Sequence, residues 1–330
     1  MTTVQNTNYK NITQKLLRDL PPRTKEVVAR RFGLEKDERE TLEAIGKSHG
    51  ITRERVRQIE EDAFTKIRAK PAIFQSILDQ FAAELKNNGG IRREDLLLKT
   101  LGGEKYQNHV FFLLSLSSSF ARLAESKEFH PLWAVKGDSL DLAKKAVAFL
   151  KDELKKTNQP INTQNYRVPF GAIASPALAS YLETSKLIQR ASDGLFGLKE
   201  WPEINPRGVK DKAYLVLKST NAPLHFSEVA KRIGKNALPQ TVHNELIKDQ
   251  RFVLVGRGLY ALRAWGYEPG MVKDVITRIL KNADQPLAKA DIVNAVLKQR
   301  FVKENTISLN LSDKKYFERT AEGKYTIRQA

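Results

Sequence analysis

Between residues 53 and 68 the apolar positions recur at three- and four-residue steps, the spacing of one helical stripe. With about 100° of turn per residue, Val56, Ile59, Ala63 and Ile67 gather on one side of that helix, while Arg53, Glu54, Arg57 and Gln58 gather on another. Just upstream, Leu42 and Ile45 give a shorter helix its own apolar face. Gly50 stands where a helix end calls for a left-handed residue, and the Thr52 hydroxyl is placed to cap the next helix. The pattern predicts a helix-turn-helix over residues 41–68.

Further along, a second pattern repeats. An aromatic residue, an aliphatic one two places on and then a basic one occur at Trp133-Ala-Val135-Lys136, Phe196-Gly-Leu198-Lys199, Tyr260-Ala-Leu262-Arg263 and Tyr325-Thr-Ile327-Arg328. The aromatic positions are 63, 64 and 65 residues apart. Upstream in each unit an apolar residue follows Gly or Pro: Gly90-Ile91, Pro160-Ile161, Pro223-Leu224 and Pro286-Leu287. Each unit opens with a helix-period stretch such as Val209–Leu217 or Val272–Leu280, and the Pro-apolar piece that follows reads as extended. Two shorter helices come next, for example Phe226–Ile233 and Thr241–Lys248, and a hairpin closes the unit, best marked by Arg251–Val255, Gly256-Arg-Gly258 and Leu259–Arg263. Three helices and a terminal β-hairpin make a winged helix. The first repeat departs most, since its turn, Ser126-Lys-Glu-Phe-His-Pro131, carries no glycine.

The expected fold class is therefore mainly α, an N-terminal helix-turn-helix followed by tandem winged-helix domains. The expected domains are 1–70, 71–137, 138–203, 204–268 and 269–330. At 330 residues the chain exceeds what one core usually serves, which agrees with several domains.

Charge adds a partner. The chain carries 56 Lys+Arg against 38 Asp+Glu, a net +18, which points to a polyanion. The five expected domains carry +5, +1, +1, +6 and +5, so both ends are basic and the middle is nearly neutral. On the second helix of the helix-turn-helix, Arg suits guanine, Gln suits adenine and Glu suits the cytosine amine, so Arg53, Glu54, Arg57 and Gln58 are the expected base readers of double-stranded DNA. Lys47, His49 and Arg55 are the expected phosphate contacts.

Two resemblances sharpen these expectations. Leu20-Pro-Pro-Arg-Thr-Lys-Glu-Val-Val-Ala-Arg-Arg-Phe-Gly-Leu34, Thr41-Leu-Glu-Ala-Ile-Gly46 and Ile51-Thr-Arg-Glu-Arg-Val-Arg-Gln-Ile-Glu60 resemble region four of a housekeeping-type sigma factor. That likeness implies reading of a −35 promoter element, with Arg53, Glu54, Arg57 and Gln58 in the base-contacting positions, and docking on the β flap of bacterial RNA polymerase. Only about 20 polar, aromatic-poor residues precede the segment, so a promoter reader lacking the melting apparatus is expected. Ala222-Pro-Leu-His-Phe-Ser-Glu-Val229, Asp249-Gln-Arg-Phe-Val-Leu254 and Leu259-Tyr-Ala-Leu-Arg-Ala-Trp265 resemble the HARE-HTH winged helix of the RNA polymerase delta subunit. The likeness is close over 207–268, moderate over 270–330, and rests on repeat logic alone over 71–203.

Other classes fall away. The chain has no cysteine, so disulfides, thiol nucleophiles and cysteine metal sites are excluded. Of its histidines (His49, His109, His130, His225 and His243) no two stand three to five residues apart. No metal, cofactor or small-molecule substrate is expected. Glu84-Leu-Lys86 and Glu153-Leu-Lys155 match a nuclease triplet but fall in helix-period stretches, where such pairs are ordinary surface charges; no enzyme is expected. The run His109–Leu114 is far too short to span a membrane, and the N-terminus lacks a basic-then-apolar secretion signal, so the expected compartment is the cytoplasm; the sigma-factor resemblance implies a bacterial one, with the protein at the nucleoid. The expected function is sequence-specific transcription regulation. The rivals are a polymerase-associated adaptor whose winged helices bind protein, and the DNA-reading subunit of a restriction-modification or defence system.

Overall fold

The computed structural model describes residues 8–36, 38–137 and 139–328. Residues 1–7, where the N-terminal sequence reads as lacking a secretion signal, lie outside the described residues. The chain is mainly helical with small antiparallel sheets, and it divides into Met1–Glu200 and Trp201–Ala330.

In the first unit the leading helices are α1 (Tyr9–Leu17), α2 (Pro22–Phe32), α3 (Leu42–His49) and α4 (Arg53–Arg68). Their ends are written in the sequence. Asn8 caps α1 through Asn11 N at 3.1 Å, Pro22 starts α2 where no amide hydrogen is needed, and Gly33 ends α2 with φ 60°. Then come α5 (Gln75–Asn87), β1 (Ile91–Arg93), α6 (Glu94–Gly102), α7 (Gln107–Leu116), β2 (Phe120–Leu123) and β3 (Leu132–Val135), with sheet order β1-β3-β2. The unit closes with α8 (Ser139–Thr157), α9 (Ser175–Thr184), β4 (Ile188–Arg190) and β5 (Phe196–Leu198).

A single apolar core crosses the expected boundary at residue 70. It runs from Tyr9, Leu16 and Phe32 through Phe64 and Ile67 to Phe81, Phe112 and Trp133. Helix α7 is the reason: Val110, Phe112, Leu113, Leu114 and Leu116 are all buried, and the helix packs on α1, α2, α4, α5 and α6. A helix that is apolar all round needs cover on every side.

The second unit holds α10 (Gly208–Thr220), β6 (Leu224–His225), α11 (Phe226–Ile233), α12 (Pro239–Lys248), β7 (Phe252–Gly256) and β8 (Leu259–Leu262), with order β6-β8-β7. It continues through α13 (Val272–Lys281), α14 (Lys289–Gln299), α15 (Glu304–Leu311), β9 (Phe317–Arg319) and β10 (Tyr325–Ile327).

The repeat landmarks prove to be strand partners. Ile161 bridges Phe196, Leu224 pairs with Tyr260, and Leu287 bridges Tyr325. In the first repeat the register is one residue away: Ile91 faces Ala134, and Trp133 faces Arg92. Each Pro- or Gly-led apolar residue thus closes a sheet against the second strand of its hairpin, which is why the two landmarks recur together.

The expectation of two short helices in every repeat fails in the second. Between Thr157 and Ser175 the chain forms turns and a single bridge, and α9 alone precedes the hairpin. Pro160, Pro169 and Gly171 break that stretch, and it lacks the apolar period that builds α6, α11 and α14. In the first repeat the hairpin forms without a turn glycine. The Ser126 hydroxyl accepts from the amides of Glu128 (3.3 Å) and Phe129 (3.0 Å), and the connection between β2 and β3 is long enough to need no left-handed residue.

Candidate nucleic-acid interface

The helix-turn-helix is held by a small apolar cluster of its own. Val27, Ile45 and Val56 are fully buried at the junction of α2, α3 and α4, with Leu42, Ile51 and Ile59 around them. Thr41 and Thr52 cap α3 and α4 through hydrogen bonds of 3.1 and 3.2 Å from the amides of Ala44 and Arg55. Gly50 takes φ 65° between the two helices. At Gly46 a Cβ would stand 2.7 Å from the Ile51 carbonyl oxygen, so the close approach of α3 to the turn requires glycine. The predicted bounds of α4, Arg53 to Arg68, are the observed ones.

Its exposed surface carries Arg53, Glu54, Arg55, Arg57 and Gln58 together, while Val56, Ala63 and Ile67 turn inward. Lys47 is exposed near the end of α3. His49 is placed differently: its ring is largely covered, with Nε2 3.4 Å from Arg30 Nη1 and 3.5 Å from Glu26 Oε1. That network is centred on Arg30, which donates to both Glu40 carboxylate oxygens at 2.8 and 2.7 Å and holds the Glu40 carboxyl below its usual range. His49 thus shares the polar contacts that link α2 to the end of α3.

Within that cluster the side chains also bond one another. Arg55 Nη1 donates to Gln58 Oε1 at 3.0 Å. Arg57 Nε donates to both Glu54 oxygens at 3.1 Å, its Nη2 donates to Glu54 Oε1 at 2.8 Å, and its Nη1 donates to Glu61 Oε2 at 2.7 Å. These bonds raise the pKa of Arg57 and lower that of Glu54. Beneath them, burial pushes Glu60 up while Arg31, 3.4 Å away, draws it down. Glu61 is a member of the cluster that the sequence candidates do not include. The spacings that could name it are Glu54–Arg57 and Arg57–Glu61, three and four residues along one helical stripe.

Among the described residues no cluster of His, Asp and Glu is arranged to hold a metal, and no helix is long and apolar enough to cross a membrane. Glu84 and Glu153 lie on α5 and α8; Glu84 accepts from Arg92 at 2.7 Å and Glu153 from Lys156 at 3.3 Å.

Residues 16–69 match the family model described as Sigma-70, region 4. The chain is similar to the RNA polymerase sigma factor RpoS of Coxiella burnetii, with 48% identity over 65 residues, 20% of this chain and 18% of that one. It is 40% identical over 62 residues to the RNA polymerase sigma factor RpoD of Neisseria gonorrhoeae, 19% of this chain and 10% of that one. It is 48% identical over 54 residues to the RNA polymerase sigma factor SigA of Clostridium acetobutylicum, 16% of this chain and 14% of that one. The chain thus spans less than a fifth of the length of these curated relatives.

Proposed function

We propose that this chain is a DNA-binding transcription regulator that reads a promoter-type element in the major groove through α4 and works with RNA polymerase in the bacterial cytoplasm. The observation that carries the reading is the shared exposure of Arg53, Glu54, Arg57 and Gln58 on the leading turns of a helix whose opposite side is buried. That half of a helix-turn-helix reading helix meets base edges, and these side chains match the donors and acceptors displayed there. Similarity of residues 16–69 to a segment of RNA polymerase sigma factors supports both partners. Lys47, His49 and Arg55 are assigned to phosphates.

Arg57→Ala or Gln58→Ala should lower preference for a selected duplex over a scrambled one by about 1–3 kcal/mol, with binding to the scrambled duplex nearly unchanged. Equal weakening on both duplexes would reject base reading.

The helix-strand-helix-helix-strand-strand order of residues 75–135 and 208–262 supports the winged-helix reading, with HARE-HTH the proposed kinship of the third repeat. Residues 204–330 carry +11, and we assign them to DNA. Removing residues 204–330 should flatten the dependence of log K on log salt, by about 0.9 for each phosphate that the shortened chain no longer neutralises. An unchanged slope would move those repeats to protein partners. One observation favours an adaptor role for the first repeat: α7, its third helix, is spent on packing inside the first unit and has little surface left for a groove.

A further inference from the structure

Arg57 projects from α4 into water, yet its guanidinium is already occupied on both sides. Glu54, one turn before it, takes Nε and Nη2; Glu61, one turn after it, takes Nη1 at 2.7 Å. Glu54, Arg57 and Glu61 are 59%, 52% and 64% exposed, so neither carboxylate is there to fill a core. Together they set two negative charges against one positive one on the stripe that faces the duplex. We propose that Glu61 is a positioning residue that restrains Arg57 and sets the selectivity of the reading helix by weakening its attraction to DNA of the wrong sequence. The inference rests on the assignment of α4 as the DNA-reading helix.

The physical argument is a competition. On any duplex, a phosphate or guanine edge that recruits Arg57 must displace carboxylates that already hold three of its nitrogens. On a matching site Glu54 is drawn away to a cytosine amine, which leaves Glu61 as the sole carboxylate partner of Arg57. The guanidinium is then half released and still oriented along the stripe. On a mismatched site Glu54 has no donor to turn to, both carboxylates stay on Arg57, and the excess negative charge faces the phosphates. Selectivity gained in this way comes from a repulsive element that penalises the wrong partner. Exposed ion pairs of this kind are weak and screened by salt, so the effect is a factor of about 2–5 rather than orders of magnitude.

The test uses the full chain and two duplexes, one enriched from random DNA by selection on the protein and one a scramble of it, titrated across a salt series. Glu61→Gln keeps the size of the side chain and removes its charge. It should tighten binding to the scrambled duplex about 2–5-fold, steepen the log–log salt slope, and lower the preference ratio by the same factor. In an Arg57→Ala background the same substitution should leave the ratio where it was, because nothing remains to restrain. Asp62→Asn removes an equal charge from the next position, about 100° further round the helix, and should leave the ratio unchanged. An unchanged ratio in Glu61→Gln, an equal shift in Asp62→Asn, or a shift that persists without Arg57 would each overturn the proposal. If Arg57→Ala alone leaves the preference untouched, the DNA-reading assignment of α4 falls first. A normal Arg57 effect with no Glu61 effect sinks only the role given to Glu61.

Discussion

Replacing Phe112 with alanine is expected to destabilise the first unit by about 3–5 kcal/mol, and to weaken DNA binding at temperatures where the parent chain still binds. Phe112 is fully buried on α7. Its ring meets Phe32 edge-on at 5.2 Å and Phe64 edge-on at 5.9 Å, while Phe32 and Phe64 stack at 5.6 Å. Phe32 is the last residue of α2 and Phe64 lies on α4, so the cavity would open beneath the helix that carries Arg53 and Arg57. The forfeited burial gives most of the cost, and two aromatic pairings add about 0.5–1.5 kcal/mol each. Phe111 is the comparison: its ring stands 4.1 Å from the guanidinium of Arg39 and 5.3 Å from that of Arg122 and is only partly buried, so Phe111→Ala should cost less. Denaturant unfolding followed by circular dichroism gives both numbers. A destabilisation below about 1 kcal/mol at Phe112, far under the usual cost of such a truncation, would mean that residues 9–68 hold their fold without α7.

That coupling is the part of the fold hardest to read from the chain. The helix-turn-helix is legible to the residue, because its determinants are local: Thr52 caps, Gly50 turns left-handed, and Val56, Ala63 and Ile67 repeat at helical spacing. The hairpin of β7 and β8 is legible for the same reason, with Gly256 and Gly258 around its turn. What α7 packs against is a tertiary fact. Its apolar run, His109–Leu114, is too short for a membrane span, and length alone says nothing more. The same run, apolar on every side, also signals a helix enclosed by several partners. The boundary expected at residue 70 comes from repeat arithmetic, which locates structural units and is silent on whether neighbours share a core.

The candidate site divides along the same line. Which residues α4 exposes follows from helical geometry, and the structure brings Arg53, Glu54, Arg57 and Gln58 together as that geometry requires. What each exposed side chain bonds to does not follow. The sequence places His49 at the end of α3, but that Arg30 and Glu26 on α2, more than fifteen residues away in sequence, also approach its ring is a tertiary fact that the chain does not display. Glu61 escapes the sequence for a different reason. Its spacing from Arg57 is visible, but an i,i+4 pair on an exposed helix is so common that it singles out no residue until the guanidinium is seen to be held from both sides.

Arg300→Ala is expected to cost the second unit about 2–4 kcal/mol and to divide its unfolding into two transitions. Arg300 is 3% exposed and donates to three carbonyl oxygens: Gln299 at 2.7 Å, Glu268 at 2.5 Å and Gly270 at 3.0 Å. These bonds tie the segment between the short turn Arg263–Trp265 and α13 to the end of α14, where Gln299 Nε2 also donates to Gly266 O at 3.2 Å. Beside them, Phe301 N donates to Val255 O at 2.6 Å and extends the edge of β7. The third and fourth repeats are thereby joined as well as consecutive. Truncation has an opposing effect, since it spares the cost of burying a guanidinium, which is visible in the lowered pKa of Arg300. Three carbonyls stripped of their donor and the removal of a long packed side chain outweigh it. Arg300→Met separates the two contributions, because it keeps the packing and removes the donors. If residues 204–330 bind DNA as proposed, two linked repeats engage a long duplex with the second contact made at high effective concentration, whereas loosened ones do so less well. Arg300→Ala should therefore weaken binding to a long duplex more than to one that reaches a single repeat. Equal weakening on both, or a single unfolding transition at the parent's midpoint, would show that the buried guanidinium does not hold the pair together.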